Sequence, residues 1–226
     1  MALAQIDEWS DALRIRFDDA PRHNSLALDT VRQLHGCLTR DRHRVIVLGS
    51  TSTIAFSSGA DITVDDATRA AISDLLYECY ELMISRPGLV IAVVEGSAVG
   101  GGSQLASAAD IRVIGTRARF KWVGAGHGLV VGAWILPSLL GRSVAFDLAM
   151  CSEWVEADAA VRIGLASAVH RDPWAHAETL LKRLSGLDPA AVRGFKQLAN
   201  APDLLDRLAR ERRANASWNG QAPARD

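Results

Sequence analysis

The chain has 226 residues, 49% of them hydrophobic, enough to bury a sizeable core in one large domain. Its formal net charge is −1, from 25 basic and 26 acidic residues, a balance that favours neither a nucleic acid nor an anionic membrane as partner. No stretch approaches the ~18 apolar residues of a membrane span, the N-terminus (MALAQIDEWSD) lacks a basic-then-apolar leader, and Cys37, Cys79 and Cys151 have no metal-ligand spacing. The expectation is a soluble, cytoplasmic protein with no metal site, its three thiols free and buried.

In chain order, residues 13–17 (LRIRF) alternate apolar and basic side chains, as a half-buried edge strand does. Residues 24–39 space Leu26, Leu28, Val31, Leu34 and Leu38 mostly by three or four, which predicts a helix. The run VIVLGS at 45–50 is a buried strand of a parallel sheet, and FSSGADI at 56–62 falls in the loop beyond it. A helix is predicted over 66–85 and stopped by Arg86-Pro87-Gly88. LVIAVV at 89–94 is a second buried strand, and the small residues after it turn the chain into a helix beginning near Gly101. Strands over 111–114 and 119–123 precede a helical stretch from Ala133 to Arg213, and the last dozen residues read as a frayed tail. The division is an α/β core over 1–135 and a helical C-terminal region over 136–226 in the same structural unit.

Two small-residue turns carry the chemistry. Ser57-Ser58-Gly59-Ala60 and Val99-Gly100-Gly101-Gly102 each end a strand, leaving backbone N–H groups unpaired and approachable by a ligand atom. The second turn also stands at a helix N-terminus, where the dipole favours negative charge. If the turns converge, one N–H from each makes an oxyanion hole for a carbonyl that gains charge. Taken singly, such glycines serve equally well for tight turns and helix–sheet packing.

The pair is more specific. AFSSGADI followed by LVIAVVEGSAVGGGSQLASAADIRV closely resembles the crotonase superfamily, the enoyl-CoA hydratase/isomerase family, with further likeness in PRHNSLALDTVRQL, EWVEADAAVRIGLASAV and PAAVRGFKQLAN. The resemblance runs over residues 10 to 213. It implies an α/β fold of the ClpP/crotonase type, built of ββα repeats with a helical C-terminal region, and a homotrimer or dimer of trimers. It also implies an acyl-CoA or acyl-carrier thioester as ligand, with coenzyme A part of the substrate and no separate cofactor. By the same resemblance the amides of Ala60 and Gly101 form the oxyanion hole. Ser58, Asp61 and Ile62 lie along the adenine and pantetheine path, while Arg22 and Lys196 are partners for the phosphates, the lysine by way of a neighbouring subunit's ligand.

The departures from the family pattern are as informative. Hydratases of this kind use two glutamates, because one must hold or deprotonate water while the other protonates the α-carbon. Gln104 stands at the first position and Gly124 at the second, and neither exchanges a proton near neutral pH. Gly132, where some relatives carry aspartate, is empty as well. His127, in a glycine-bracketed loop, is the candidate replacement, because imidazole titrates near neutrality. Trp122 and Trp134, with Gln104 and Gly124, are expected to line the acyl pocket. The leading reading is atypical thioester chemistry at a retained hole, such as decarboxylation, hydrolysis or cyclisation. The alternatives are a non-catalytic acyl-CoA carrier or sensor, and a hydratase or isomerase using replacement residues. The short C-terminus leaves closure of the pocket open.

Overall fold

The structure, a computed structural model, describes residues 4–200 and 203–220. The first half runs β1 (Gln5–Trp9), β2 (Ala12–Phe17), α1 (Leu28–Arg40), β3 (Val45–Ser50), β4 (Ala55–Ser57), α2 (Asp66–Ser85), β5 (Val90–Val94), β6 (Ser97–Val99), α3 (Gly101–Ala108), β7 (Ile111–Gly115) and β8 (Arg119–Lys121). Then follow α4 (Leu136–Leu140), α5 (Arg142–Cys151), β9 (Val155–Glu156), α6 (Ala157–Arg162), β10 (Val169–His170), α7 (Pro173–Leu184), α8 (Pro189–Asn200) and α9 (Leu204–Ala214). One sheet has the order β1-β2-β3-β5-β7-β10 and the other β4-β6-β8-β9. The units β3-β4-α2 and β5-β6-α3 repeat one pattern, in which the first strand enters the large sheet, the second the small sheet, and a helix follows.

The apolar runs have a direct cause. β5 is buried at every position because both faces of the sheet are covered. Val90, Ala92 and Val94 join the main core, whereas Ile91 and Val93 meet Ala177 and Leu181 of α7 on the opposite face. Each such side chain contributes roughly 1.5–3 kcal/mol by leaving water. α2 starts where the Asp65 carboxylate accepts from the Thr68 amide at 2.9 Å, and Arg86-Pro87 ends it.

Several expectations are corrected. β2 is not an edge strand: β1 pairs antiparallel outside it, Gln5 opposite Arg16, and Asp7 neutralises the two arginines, pairing with Arg14 at 2.5 Å and Arg16 at 3.4 Å. The first long helix starts at Leu28 rather than 24, because Asn24 is held at φ +54 in a turn by its bonds to Ser50 and the carbonyl of Ala55. Phe56 and Ser57 of the FSSGADI segment belong to β4, and the C-terminal half contributes β9 and β10, each two residues long and too short to show a period. Cys37 and Cys79 are buried, but Cys151 is exposed at the end of α5. Among the described residues no helix is long and apolar enough to cross a membrane, and no group of three metal-ligating side chains occurs.

Candidate functional site

β4 and β6 are parallel neighbours, Ala55 opposite Ser97, so the turns that leave them emerge side by side. Leu26 fastens the first turn, donating to the Gly59 carbonyl at 2.8 Å and accepting from the Asp61 amide at 3.2 Å. The Ala60 amide between them has no acceptor among the described residues. Gly59 has φ +90, and a Cβ there would lie 2.7 Å from the Val99 carbonyl and 3.2 Å from the Gly101 nitrogen. Only glycine allows both that backbone and that approach. In the second turn the Gly100 amide donates to the Lys121 carbonyl at 2.9 Å, leaving the Gly101 amide, first of α3, as an orphan donor.

Both amides border a cavity of about 670 Å³. Leu76, Tyr77 and Tyr80 of α2 form one wall, Val123, Leu129 and Val131 another, and Trp218 and Gly220 of the C-terminus close a third side. No carboxylate is among the described lining residues. Two adjacent donors in an apolar cleft are suited to an oxygen that gains charge.

The sequence-predicted residues divide into three sets. Ala60, Gly101, Gln104, Gly124 and His127 all border the cavity, as do Ser58 and Ile62, the latter 66% exposed. Asp61 and Arg22 stand behind the turn. Burial raises the Asp61 carboxyl, but hydrogen bonds from Thr63 and the nearby Arg22 outweigh it and hold the group below the usual range. Arg22 itself pairs with Asp19 at 2.6 Å and Asp61 at 3.7 Å.

Two residues are corrected outright, and a third lies away from the cavity. Trp122 and Trp134 do not line the cavity: both are fully buried. Trp122 stacks on Phe120, and Trp134 stacks on Tyr80 while its indole N–H donates to Gln104 Oε1 at 2.9 Å, fixing the orientation of that amide. Lys196 is not among the residues that line this cavity. It is 4% exposed and bonds Asp110 at 2.8 Å and the carbonyls of Met83 and Gly88 at 2.8 and 3.0 Å. Glu95, at the end of β5, has the partner it requires in Arg117 at 2.9 Å.

Gly124 is glycine for lack of room. A Cβ there would lie 2.2 Å from Val131 Cγ2. We expect Gly124→Glu to destabilise the fold by about 1–3 kcal/mol, and the added substitution Val131→Gly to recover part of that loss. Thermal denaturation of the single and double variants measures this coupling.

A carboxylate that the sequence reading missed lies just behind the wall. Glu211 of α9 is 4% exposed; its Oε1 accepts from the Tyr77 hydroxyl at 2.9 Å and the Gly132 amide at 3.1 Å, and its Oε2 from the Trp134 amide at 2.9 Å. The Gly132 position, empty of its own carboxylate, thus meets one from the C-terminal helix. Burial pushes Glu211 up to about 7, against the pull of the surrounding donors. The signal was in the helix period, since Leu204, Leu208 and Glu211 are the buried positions of α9, but flanking arginines disguised it as a solvated charge. The tail is anchored through its described residues: Asn215 bonds Val130 and Tyr77, the Trp218 indole donates to the His127 carbonyl at 3.1 Å, and Arg69 holds the Gly220 carbonyl at 2.7 Å. The rest of the tail read as frayed, 221–226, lies outside the described residues.

Comparison with known proteins gives a consistent family likeness. A family model described as enoyl-CoA hydratase/isomerase matches residues 10–226. The probable enoyl-CoA hydratase echA6 of Mycobacterium leprae is 31% identical over 183 residues, covering 79% of this chain and 72% of that protein. Its namesake in Mycobacterium bovis is 28% identical over 224 residues, 96% and 90% of the two chains. The crystal structure of an enoyl-CoA hydratase from Bacillus halodurans superposes with a TM-score of 0.87 at 19% identity, over 99% of this chain and 96% of that one, a likeness of fold.

Proposed function

The chain belongs to the enoyl-CoA hydratase/isomerase family, and on that premise we propose that it binds an acyl thioester of coenzyme A with the carbonyl oxygen between the amides of Ala60 and Gly101, and decarboxylates a malonyl-type acyl group. The observation that carries this reading is the pair of unpaired, adjacent donors at a cavity with no carboxylate among its described lining residues.

Hydration needs a carboxylate to activate water, and neither Gln104 nor Gly124 supplies one. Decarboxylation needs no base: the C–C bond breaks, CO₂ leaves, and the electron pair moves into the thioester carbonyl to make an enolate. Two oriented N–H groups stabilise that oxygen. Leu76, Val123, Leu129 and Val131 make the walls apolar, and Arg69, the guanidinium that also lines the cavity, is taken up by Asp66 and the carbonyls of Val64 and Gly220, so the substrate's carboxylate is disfavoured relative to neutral CO₂. Thioester hydrolysis is less well supported, because His127 has no carboxylate within ion-pairing distance among the described residues to orient it as a base. Coenzyme A enters only as the handle of the substrate, its path marked by Ser58 and Ile62 at the rim.

Incubation with malonyl-, methylmalonyl- and crotonyl-CoA, followed by mass spectrometry, tests the reading. The expected products are acetyl- and propionyl-CoA, with crotonyl-CoA unchanged. Loss of the enoyl absorbance of crotonyl-CoA would overturn it in favour of a hydratase. Tight binding with every thioester recovered intact would make the protein a carrier.

A further inference from the structure

An enolate made in this cavity must be protonated, and no carboxylate lines the described walls. One ionisable hydroxyl does connect the cavity to a buried acid. Tyr77 lines the cavity, and its hydroxyl donates to Glu211 at 2.9 Å, lies 3.3 Å from the Val130 carbonyl and receives a hydrogen bond from Asn215 Nδ2 at 2.8 Å. Glu211 is 4% exposed and is not among the residues that line the cavity, so the Tyr77 hydroxyl is the group that links the two.

We propose that Tyr77 and Glu211 form a proton relay into the cavity, in which the phenol gives its proton to the α-carbon of the bound thioester enolate while the Glu211 carboxyl replaces that proton. The reading rests on the thioester site proposed above. One C–H bond forms, the Tyr77 O–H bond breaks and is remade, and Glu211 ends as a carboxylate, which regains its proton by way of the Tyr77 hydroxyl from water that enters the cavity once the product has left. Run backwards, the carboxylate takes the phenolic proton as the phenol oxygen takes one from the α-carbon.

The surroundings of the two groups suit this exchange. Burial raises the Tyr77 phenol, with the Glu211 carboxylate adding to the effect, so the hydroxyl cannot rest as phenolate and must give and take together. Burial alone would keep Glu211 neutral, but the amides of Gly132, Ala133 and Trp134 hold the carboxylate once formed. The balance, about 7, lies near the operating range of an efficient acid or base. Among the described residues the groups facing Glu211 carry no countercharge: Tyr77 and Tyr80 come from α2 and backbone amides from residues 132–134. Arg212 turns away to Asp74 at 2.7 Å and Glu78 at 3.2 Å, and Arg207 to Asp203 at 3.3 Å.

The test is exchange of the α-hydrogens of acetyl-CoA in D₂O, followed by mass spectrometry across pH 5.5 to 8.5 with the full chain, Tyr77→Phe and Glu211→Gln. Exchange by the unaltered protein is expected to rise with pH through about 7 as Glu211 becomes a base. Each variant is expected to exchange about 100-fold more slowly, and the double variant no more slowly than the worse single one. Glu211→Gln removes the pH step. Tyr77→Phe keeps the ring packed against Tyr80, so its acetyl-CoA affinity and melting temperature report whether the fold survives. Full exchange in a folded Tyr77→Phe variant, a pH step retained in Glu211→Gln, or no exchange by the unaltered protein would overturn the relay. Exchange without release of CO₂ from malonyl-CoA would sink the decarboxylation reading and leave the relay standing.

Discussion

Replacing Gly101 by alanine is expected to lower turnover of any thioester substrate by about 10²–10³-fold, corresponding to ~3–4 kcal/mol of lost transition-state stabilisation, with little change in melting temperature. A methyl at this position would stand 3.6 Å from the Ala60 nitrogen, between the two donors and in the space an oxyanion would occupy. Its only tight neighbour is Leu76 Cδ1 at 3.1 Å, the end of a flexible side chain that can rotate away. Gly101 is the first residue of α3 and carries no positive φ, and alanine is the better helix former by up to ~1 kcal/mol. The fold therefore has no reason to weaken while the hole is filled. Steady-state kinetics beside a thermal melt make the comparison. A folded Gly101→Ala variant with unimpaired turnover would place the thioester oxygen elsewhere.

What the sequence made legible at this site has local causes. The turns at Gly59 and Gly101 follow from small residues at strand ends, and β3 and α2 from apolar runs and helical spacing that end where predicted. Gln104 and Gly124 could be placed by their distance from the glycine triplet. The failures come from contacts between distant segments. A tryptophan that lines a pocket and one that orients Gln104 from behind it have the same composition and spacing. Glu211 meets the Gly132 amide 79 positions away, and Lys196 meets Asp110 at a separation of 86. Neither pairing leaves a periodic or turn-forming trace. β1 went unread for another reason: QIDEW is mostly polar because the strand lies at the sheet edge, which leaves it without a buried apolar run.

Lys196→Met is the substitution with the largest expected effect on stability. In the unaltered protein the ammonium is enclosed by Asp110 and two backbone carbonyls. Asp110 also accepts from the Val90 amide at 2.7 Å at the start of β5. Burial raises Asp110 and lowers Lys196, and the attraction between them opposes both shifts. Methionine matches the length of the stem but leaves the carboxylate buried without its closest cation, a change that costs about 3–5 kcal/mol. For a chain of this size that is a drop of roughly 6–20 °C in melting temperature, and a large share of a typical stability of ~5–15 kcal/mol. Urea denaturation should therefore show a lower midpoint with an unchanged slope. Asp110→Asn in the same background should recover part of the loss, because the stranded charge is then gone. Coenzyme A affinity of the folded variant should stay as it was. A variant of unaltered stability that bound coenzyme A more weakly would return Lys196 to the phosphate-binding role that its position in PAAVRGFKQLAN first implied. The buried pair ties α8 to the turn between α2 and β5, so that this C-terminal helix is fastened to the core.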